Sequence, residues 1–401
     1  MKDKVVLAYS GGVDTSVAIK WIAEHYDLDV IALSIDIGME REYEAIRQKA
    51  LKVGAVEALV FDAKELFIND FVFPALQADA IYEGQYTLAT ALARPLIVKI
   101  MVGVAKREGA VAIAHGCTGK GNDQVRFDVG AAALAPGMKI IAPAREWGMT
   151  REESIAYAKK HDIPVPVTAK SPYSIDENLW GKSIECGILE DPWAEPPEEV
   201  FTWTKSPQDA PDQPQYVEIG FEQGIPVSLD NTPMNGVSLI EKLNSIAGEH
   251  GVGRVDNMEN RLVGIKSREI YEAPAATTLL AAHLALEQLT LSRDQFRFKQ
   301  GVALKYSELI YDGLWFSALH EDLRAYIKST QRHVTGNVRV RLFKGKVTVV
   351  GRKSPKSLYS YNLATYDDAD QFDQSASLGF IQIYGLPAKT QAEIQGLDFN
   401  K

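Results

Sequence analysis

The chain has 401 residues, 46% apolar and 24% charged, enough to bury a sizeable core over two or three domains without covalent staples. A formal charge of −10 opposes a surface that tracks nucleic-acid phosphates, and two distant cysteines, Cys117 and Cys186, exclude a disulfide framework or a zinc knuckle. No apolar stretch approaches the roughly 18 residues of a membrane span, and the N-terminus lacks a signal-peptide pattern, so a cytoplasmic protein free of nucleic-acid and membrane partners is expected.

In chain order, the β-branched runs at 4–9 and 29–36 read as buried parallel strands, followed by 56–62, 110–116 and a weaker fifth at 139–143. Helical stretches at 15–26, 40–53, 64–71 and 93–108 alternate with them. That alternation predicts a parallel sheet covered by helices. Thr150, with Glu153 three residues on, has capping-box spacing and should open a helix ending near His161. Residues 162–214 carry half of the 18 prolines and read as loops and linkers. Beyond them, 215–229 reads as a hairpin turning at Gln223-Gly224, and 337–352 as a second turning at Lys344-Gly345. Helices are expected at about 237–249, 275–290, 292–312 and 317–332. A short terminal helix over 386–401 is too short to stand alone and needs a docking partner.

The stretch "AYSGGVDTS" (8–16) sits at the corner between the first strand and the first helix. In an open α/β sheet this edge is where ligands bind, and backbone N–H groups at a helix N-terminus favour a phosphate. No lysine lies between Ala8 and Ile19, which removes a Walker A loop, and "GGVDTS" does not supply GxGxxG. What remains resembles the PP-loop of ATP pyrophosphatases, which cut ATP between its α- and β-phosphates. The bland alternative is an ordinary glycine corner capped by Ser and Asp.

"HGCTGKGNDQVRF" (115–127) follows the fourth strand and opens on the same edge. Its glycines and its density of polar groups suit a small zwitterion, with cations for carboxylates and Asp123 for an ammonium. His115, at the strand end, reads as structural. Between the third and fourth strands, Arg94 either holds a carboxylate or caps a helix opening at Pro95.

Taken together, these loops resemble the argininosuccinate synthase family, with "AYSGGVDTS" as its expanded PP-loop and "HGCTGKGNDQVRF" as its HGxTGKGNDQxRF signature. "SPYSIDENLWGKSIECGILEDP" (171–192), "GVGRVDNMENRLVGIKSREIYEAPA" (251–275), "KYSELIYDGLWFSAL" (305–319) and "GRKSPKSLYS" (351–360) extend the resemblance over nearly the whole chain. It implies a parallel-sheet PP-loop nucleotide-binding domain of the adenine nucleotide alpha hydrolase type at 1–165. An α+β synthetase domain at 166–362 and a C-terminal extension with an oligomerisation helix at 363–401 follow. It also implies ATP-dependent ligation of citrulline and aspartate through a citrullyl-adenylate, with ATP and Mg²⁺ as a substrate complex. No permanent cofactor or resident metal site, and a homotetramer, complete the expectation.

Residue by residue, the resemblance assigns Ala8, Tyr9, Ser10, Gly11, Gly12, Val13, Asp14, Thr15 and Ser16 to ATP, with Gly116. Tyr86, Asn122, Arg126, Ser174, Ser183, Glu259 and Tyr271 match citrulline positions, and Thr118, Asn122 and Asp123 match aspartate positions. Asp14, Asn122 and Asp123 are the expected catalytic residues, Asn122 serving both amino acids. Two positions depart from the family pattern. Ala91 stands where many members have a serine near citrulline, with Thr90 beside it as a substitute, and Cys117 stands where several have Ala. The rival readings are another PP-loop adenylating enzyme and a nucleotide-binding regulatory protein without catalysis.

Overall fold

A five-stranded parallel sheet forms the N-terminal part of the computed structural model, which describes residues 2–39, 41–149, 151–164 and 172–396. In chain order its elements are β1 (Lys4–Ala8), α1 (Val13–Tyr26), β2 (Asp29–Asp36), α2 (Tyr43–Val53), β3 (Glu57–Asp62), α3 (Lys64–Phe67) and α4 (Phe73–Gln77). Then come α5 (Ala89–Glu108), β4 (Ala112–Ala114), α6 (Asp123–Leu134), β5 (Lys139–Ile141), α7 (Pro143–Glu146) and α8 (Arg151–Lys160). The strand order is β3-β2-β1-β4-β5, so the order reverses between β1 and β4. Val5, Val6 and Leu7 on the central strand are fully buried, the cost of an interior with helices on both faces. The corner after β1 and the loop after β4 flank the reversal, where such sheets bind ligands.

Three local expectations change. The helix expected from 93 begins at Ala89, so Pro95 lies inside it rather than at its start. The helix expected over 64–71 is broken by a π turn at Ile68–Val72. The polar loop ends at Asn122, because α6 takes over at Asp123. Thr150 of the expected capping box lies outside the described residues.

The stretch 162–214 is not only loop. It holds β6 (Ser174–Asn178) and β7 (Gly181–Glu185). After these come β8 (Gln215–Glu222), β9 (Ile225–Leu229), β10 (Thr232–Pro233), α9 (Gly236–Glu249), β11 (Arg254–Asn260) and β12 (Lys266–Glu272). α10 (Pro274–Thr290), α11 (Arg293–Tyr311), α12 (Ala318–Thr330), β13 (Gly336–Phe343) and β14 (Lys346–Lys353) follow. Both expected hairpins form, β8–β9 and β13–β14, and they join in one sheet of order β10-β9-β8-β13-β14. The other sheet, β11-β12-β7-β6, is antiparallel throughout.

The β6–β7 turn fastens this last sheet to the nucleotide domain. Asn178 Nδ2 donates to Ala89 O and Trp180 Nε1 to Thr87 O, each at 2.9 Å, and Leu179 N donates to Ile37 O at 3.0 Å. Gly38, at φ +94°, has no side chain to meet Leu179; a Cβ there would come within 2.3 Å of Leu179 Cγ.

Residues from Ser357 onward form a separate compact unit holding α13 (Tyr361–Ala364), α14 (Ala376–Tyr384) and α15 (Leu386–Gln395). α15 covers most of the expected terminal helix, whose residues 397–401 lie outside the described set. Among the described residues no helix is long and apolar enough to cross a membrane.

Candidate active site

At the first corner, Gly11 takes φ +79°, and a Cβ there would lie 3.1 Å from Ile46 Cγ1. Gly12 is the N-cap of α1, and Asp14 stands in its first turn. Ser16 turns inward: its Oγ donates to Gly12 O at 2.7 Å and lies 3.0 Å from the Tyr9 hydroxyl. Two cations from outside the loop reach its carbonyls, Lys49 Nζ to Gly11 O at 2.8 Å and Arg41 Nη1 to Ser10 O at 3.1 Å. Positive charge absent from the loop sequence thus arrives from the α2 region. A cavity of about 320 Å³ opens here, lined by Ala8, Tyr9, Ser10, Gly12, Val13, Asp14 and Thr15, with Gly116 across from them. Gly11 and Ser16 support the loop from behind without lining it.

The second loop is anchored by His115, which is buried. Its Nε2 lies 2.8 Å from Asp128 Oδ1, and its Nδ1 accepts the Cys117 N–H at 3.2 Å. That agrees with a structural histidine. Burial pushes the Cys117 thiol well up, which opposes the thiolate form. Thr118 lies on the exposed crest of the loop and lines neither cavity.

A second cavity of about 230 Å³ gathers Tyr86, Asn122, Asp123, Arg126, Ser174, Ser183, Glu259 and Tyr271. Strand geometry explains half of this set. Side chains alternate between faces, and the registers pair Ser174 with Glu185, Asp176 with Ser183, Ser183 with Tyr271 and Glu259 with Ser267. One face of the β11-β12-β7-β6 sheet therefore presents Ser174, Asp176, Ser183, Glu185, Glu259, Glu269 and Tyr271. The opposite face carries Ile184 and Ile270 into a small core with Leu189 and Val200.

From the nucleotide domain, the Tyr86 hydroxyl accepts the N–H groups of Thr90 and Ala91 at 3.0 and 3.2 Å, and its ring stacks on Tyr271 at 4.4 Å. Thr90 lines the cavity, its Oγ1 3.5 Å from Ser183 Oγ, whereas Ala91 is fully buried behind it. Asn122 is the N-cap of α6 but makes no capping bond with its side chain. It forgoes about 1 kcal/mol of helix stabilisation. Its Oδ1 instead accepts the Leu262 N–H at 2.9 Å, and its Nδ2 donates to the Tyr311 hydroxyl at 2.7 Å.

Arg94 and Asp176 line both cavities. Arg94 Nη2 donates to Asp123 Oδ2 at 2.7 Å and also pairs with Asp176. Arg94 lies inside α5 rather than capping a helix at Pro95, and the carboxylates it holds are the chain's own. Burial alone would raise the Asp123 carboxyl, but Arg94 and Arg126 outweigh it and hold it down to about 2. Arg94 Nε and Arg126 Nη2 are buried with no protein partner. A buried guanidinium N–H left unpaired is costly, so both are natural seats for ligand oxygens.

Sequence reasoning missed Arg261, Glu185 and Glu269, which also line the second cavity. Arg261 Nη2 donates to Glu185 Oε2 at 2.5 Å and Glu269 Oε1 at 2.7 Å. Burial, with Glu185 nearby, raises the Glu269 carboxyl to about 8 against the pull of Arg261. No local pattern marks them: Glu269 follows Ser267 and Arg268 in an unbroken polar run, Glu185 ends β7, and Arg261 directly follows β11. Away from both cavities, Asp79, His283 and Glu287 have potential metal-ligating atoms within 4.8 Å of one another. The Lys299 ammonium already sits 2.5 Å from Asp79 and 2.9 Å from Glu287, making this an internal charge cluster.

Residues 4–164 match the family description "Arginosuccinate synthase N-terminal HUP domain", and residues 173–391 match "Arginosuccinate synthase C-terminal domain". The "Argininosuccinate synthase" of Dehalococcoides mccartyi (strain ATCC BAA-2266 / KCTC 15142 / 195) is 61% identical over 395 residues, 98% of this chain and 97% of that protein. That of Symbiobacterium thermophilum is 61% identical over 395 residues, covering 98% of each. That of Trichodesmium erythraeum is 60% identical over 391 residues, 97% of this chain and 98% of the relative.

Proposed function

The chain belongs to the argininosuccinate synthase family and so joins citrulline to aspartate at the expense of ATP in arginine biosynthesis; on that premise we propose how its cavities divide the work. ATP occupies the cavity at the β1 corner, held by residues 8–16 and Gly116. Mg²⁺ travels with it as part of the substrate, and Asp14 is the loop carboxylate that serves this complex. Citrulline occupies the second cavity, on Tyr86, Asn122, Arg126, Ser174, Ser183, Glu259 and Tyr271. Aspartate is held by Thr118, Asn122 and Asp123 at the mouth of the loop.

The observation that carries this reading is the shared wall of Arg94 and Asp176 between the two cavities. The ureido oxygen of citrulline and the α-phosphorus of ATP meet there. The oxygen–phosphorus bond forms, the bond to the β-phosphate breaks, and pyrophosphate leaves. The aspartate amine then adds to the ureido carbon of the citrullyl-adenylate, and AMP departs with the original ureido oxygen. The unpaired N–H groups of Arg94 and Arg126 stabilise negative oxygen as it develops, and positioning supplies the rest. No permanently bound cofactor is needed.

The proposed domains are 1–165, 166–356 and 357–401, the last boundary moved from 363 to Ser357 so that α13 stays whole. The exposed apolar side chains of α14, among them Leu378, Phe380, Ile381 and Ile383, fit an oligomerisation element in a cytoplasmic homotetramer. Exchange of labelled pyrophosphate into ATP tests the reading. Exchange that requires citrulline but not aspartate is expected. ATP binding without any exchange would favour the non-catalytic alternative.

A further inference from the structure

Tyr311, at the C-terminus of α11, does not line the second cavity, yet its hydroxyl joins two residues that do. It donates to Glu259 Oε1 at 2.5 Å and accepts from Asn122 Nδ2 at 2.7 Å. Tyr271 donates to the other oxygen of the same carboxylate. The Tyr311 ring is held in place by Tyr82, stacked at 3.6 Å and 5°, and by the Arg126 guanidinium, 4.8 Å from the ring centroid. Arg126 Nε also donates to the Tyr311 carbonyl at 2.9 Å.

A phenol has one proton to give. Burial keeps the Tyr311 hydroxyl protonated, with Glu259 reinforcing it, and that proton is committed to Glu259. Its oxygen can then only accept from Asn122. The amide must turn its NH₂ toward Tyr311 and its carbonyl toward the Leu262 N–H, 2.9 Å away. One N–H and one lone pair of Asn122 remain for ligands, their directions set by a tyrosine from α11.

We propose that Tyr311 is a positioning residue for both amino-acid substrates, fixing through Glu259 which way the Asn122 amide faces. The proposal rests on the assignment of Asn122 to both substrates and of Glu259 to citrulline alone. Tyr311→Phe keeps the ring, the stack and the cation–π contact and removes only the oxygen. Its KM for citrulline and for aspartate should each rise about tenfold, with the KM for ATP unchanged and the melting temperature lower by a few degrees, because Glu259 and Asn122 each lose a buried partner. Glu259→Gln is the second variant and serves alone if Tyr311→Phe does not fold. A carboxamide can donate to Tyr311 as well as accept, so Tyr311 no longer dictates the Asn122 orientation and only the Leu262 N–H still favours it. The aspartate KM should rise although Glu259 does not hold aspartate. Asn122→Ala is the reference and should weaken both amino acids. If Asn122→Ala leaves both KM values unchanged, the assignment of Asn122 fails and this proposal fails with it. If Asn122→Ala weakens both while Tyr311→Phe and Glu259→Gln leave the aspartate KM unaltered, the site assignment stands and the role of Tyr311 is overturned.

Discussion

Arg94 Nη2 lies 2.7 Å from Asp123 Oδ2, and the same nitrogen pairs with Asp176 on β6. One guanidinium thus ties α5 and the N-terminus of α6 to the polar sheet face, at the wall shared by the two cavities. Arg94→Leu leaves two carboxylates facing each other. The loss of stability should be about 3 kcal/mol, the low end for a broken buried pair. Asp123 and Asp176 retain 26% and 30% exposure, which softens the penalty. Arg94→Lys keeps the charge but loses the fork, and should recover part of the stability with little of the turnover. Urea denaturation with steady-state rates checks both; a Lys variant with native turnover would show that charge alone suffices.

Gly11→Ala places a side chain at φ +79° and 3.1 Å from Ile46. The loop must shift to accept it. We expect a stability loss of about 1–2 kcal/mol and a raised KM for ATP with the KM for citrulline unchanged. Paired kinetic titrations of the two substrates test this, and an unaltered ATP KM would remove the loop from the nucleotide site.

The parallel sheet was legible because its strands are buried on both sides: "KVVLAY" and "DVIALSID" are continuous apolar runs that physics places nowhere else. The glycine corner was legible because its backbone must bend before α1. The β6–β7 and β11–β12 strands were not. One face of that sheet is the wall of a cavity, so "SIDEN" and "KSREIYE" set polar residues where a core strand would set apolar ones. α6 was missed for a related reason. Its first turn, "DQVRF", belongs to the ligand loop by composition, and its tail "GAAAL" has little amphipathic contrast. α5 began early because the first-turn N–H groups of Thr90 and Ala91 find the Tyr86 hydroxyl, a partner no local pattern announces. Tyr311 became visible only through a partner more than 50 residues away, Glu259, and Arg94, singled out in the sequence, finds its partner Asp176 more than 80 residues away.

The Glu269 carboxyl is raised to about 8, from an ordinary value of 4.5, chiefly by burial. The folded state therefore binds a proton more tightly than the unfolded chain does. Its stabilising contribution is complete below 4.5 and is lost as pH rises through about 8. Glu269→Gln abolishes that titration. Its melting temperature should fall less than that of the parent between about pH 6 and about pH 9. Equal falls in the two proteins would show that Glu269 does not titrate there.

Removing residues 357–401 deletes the unit that contains α14. The truncated chain should not form the proposed tetramer, while keeping its far-ultraviolet circular dichroism in proportion. Light scattering behind size exclusion measures the mass directly. A full-length monomer, or a truncated tetramer, would exclude this unit as the oligomerisation element.

The account turns on a citrulline oxygen attacking the α-phosphorus of ATP at the Arg94–Asp176 wall. Citrulline carrying oxygen-18 in its ureido group, turned over with ATP and aspartate, tests that step by mass spectrometry of the products. The label should appear in AMP, one heavy oxygen per molecule, with none in pyrophosphate. Label retained in argininosuccinate, or released to water with unlabelled AMP, would contradict it.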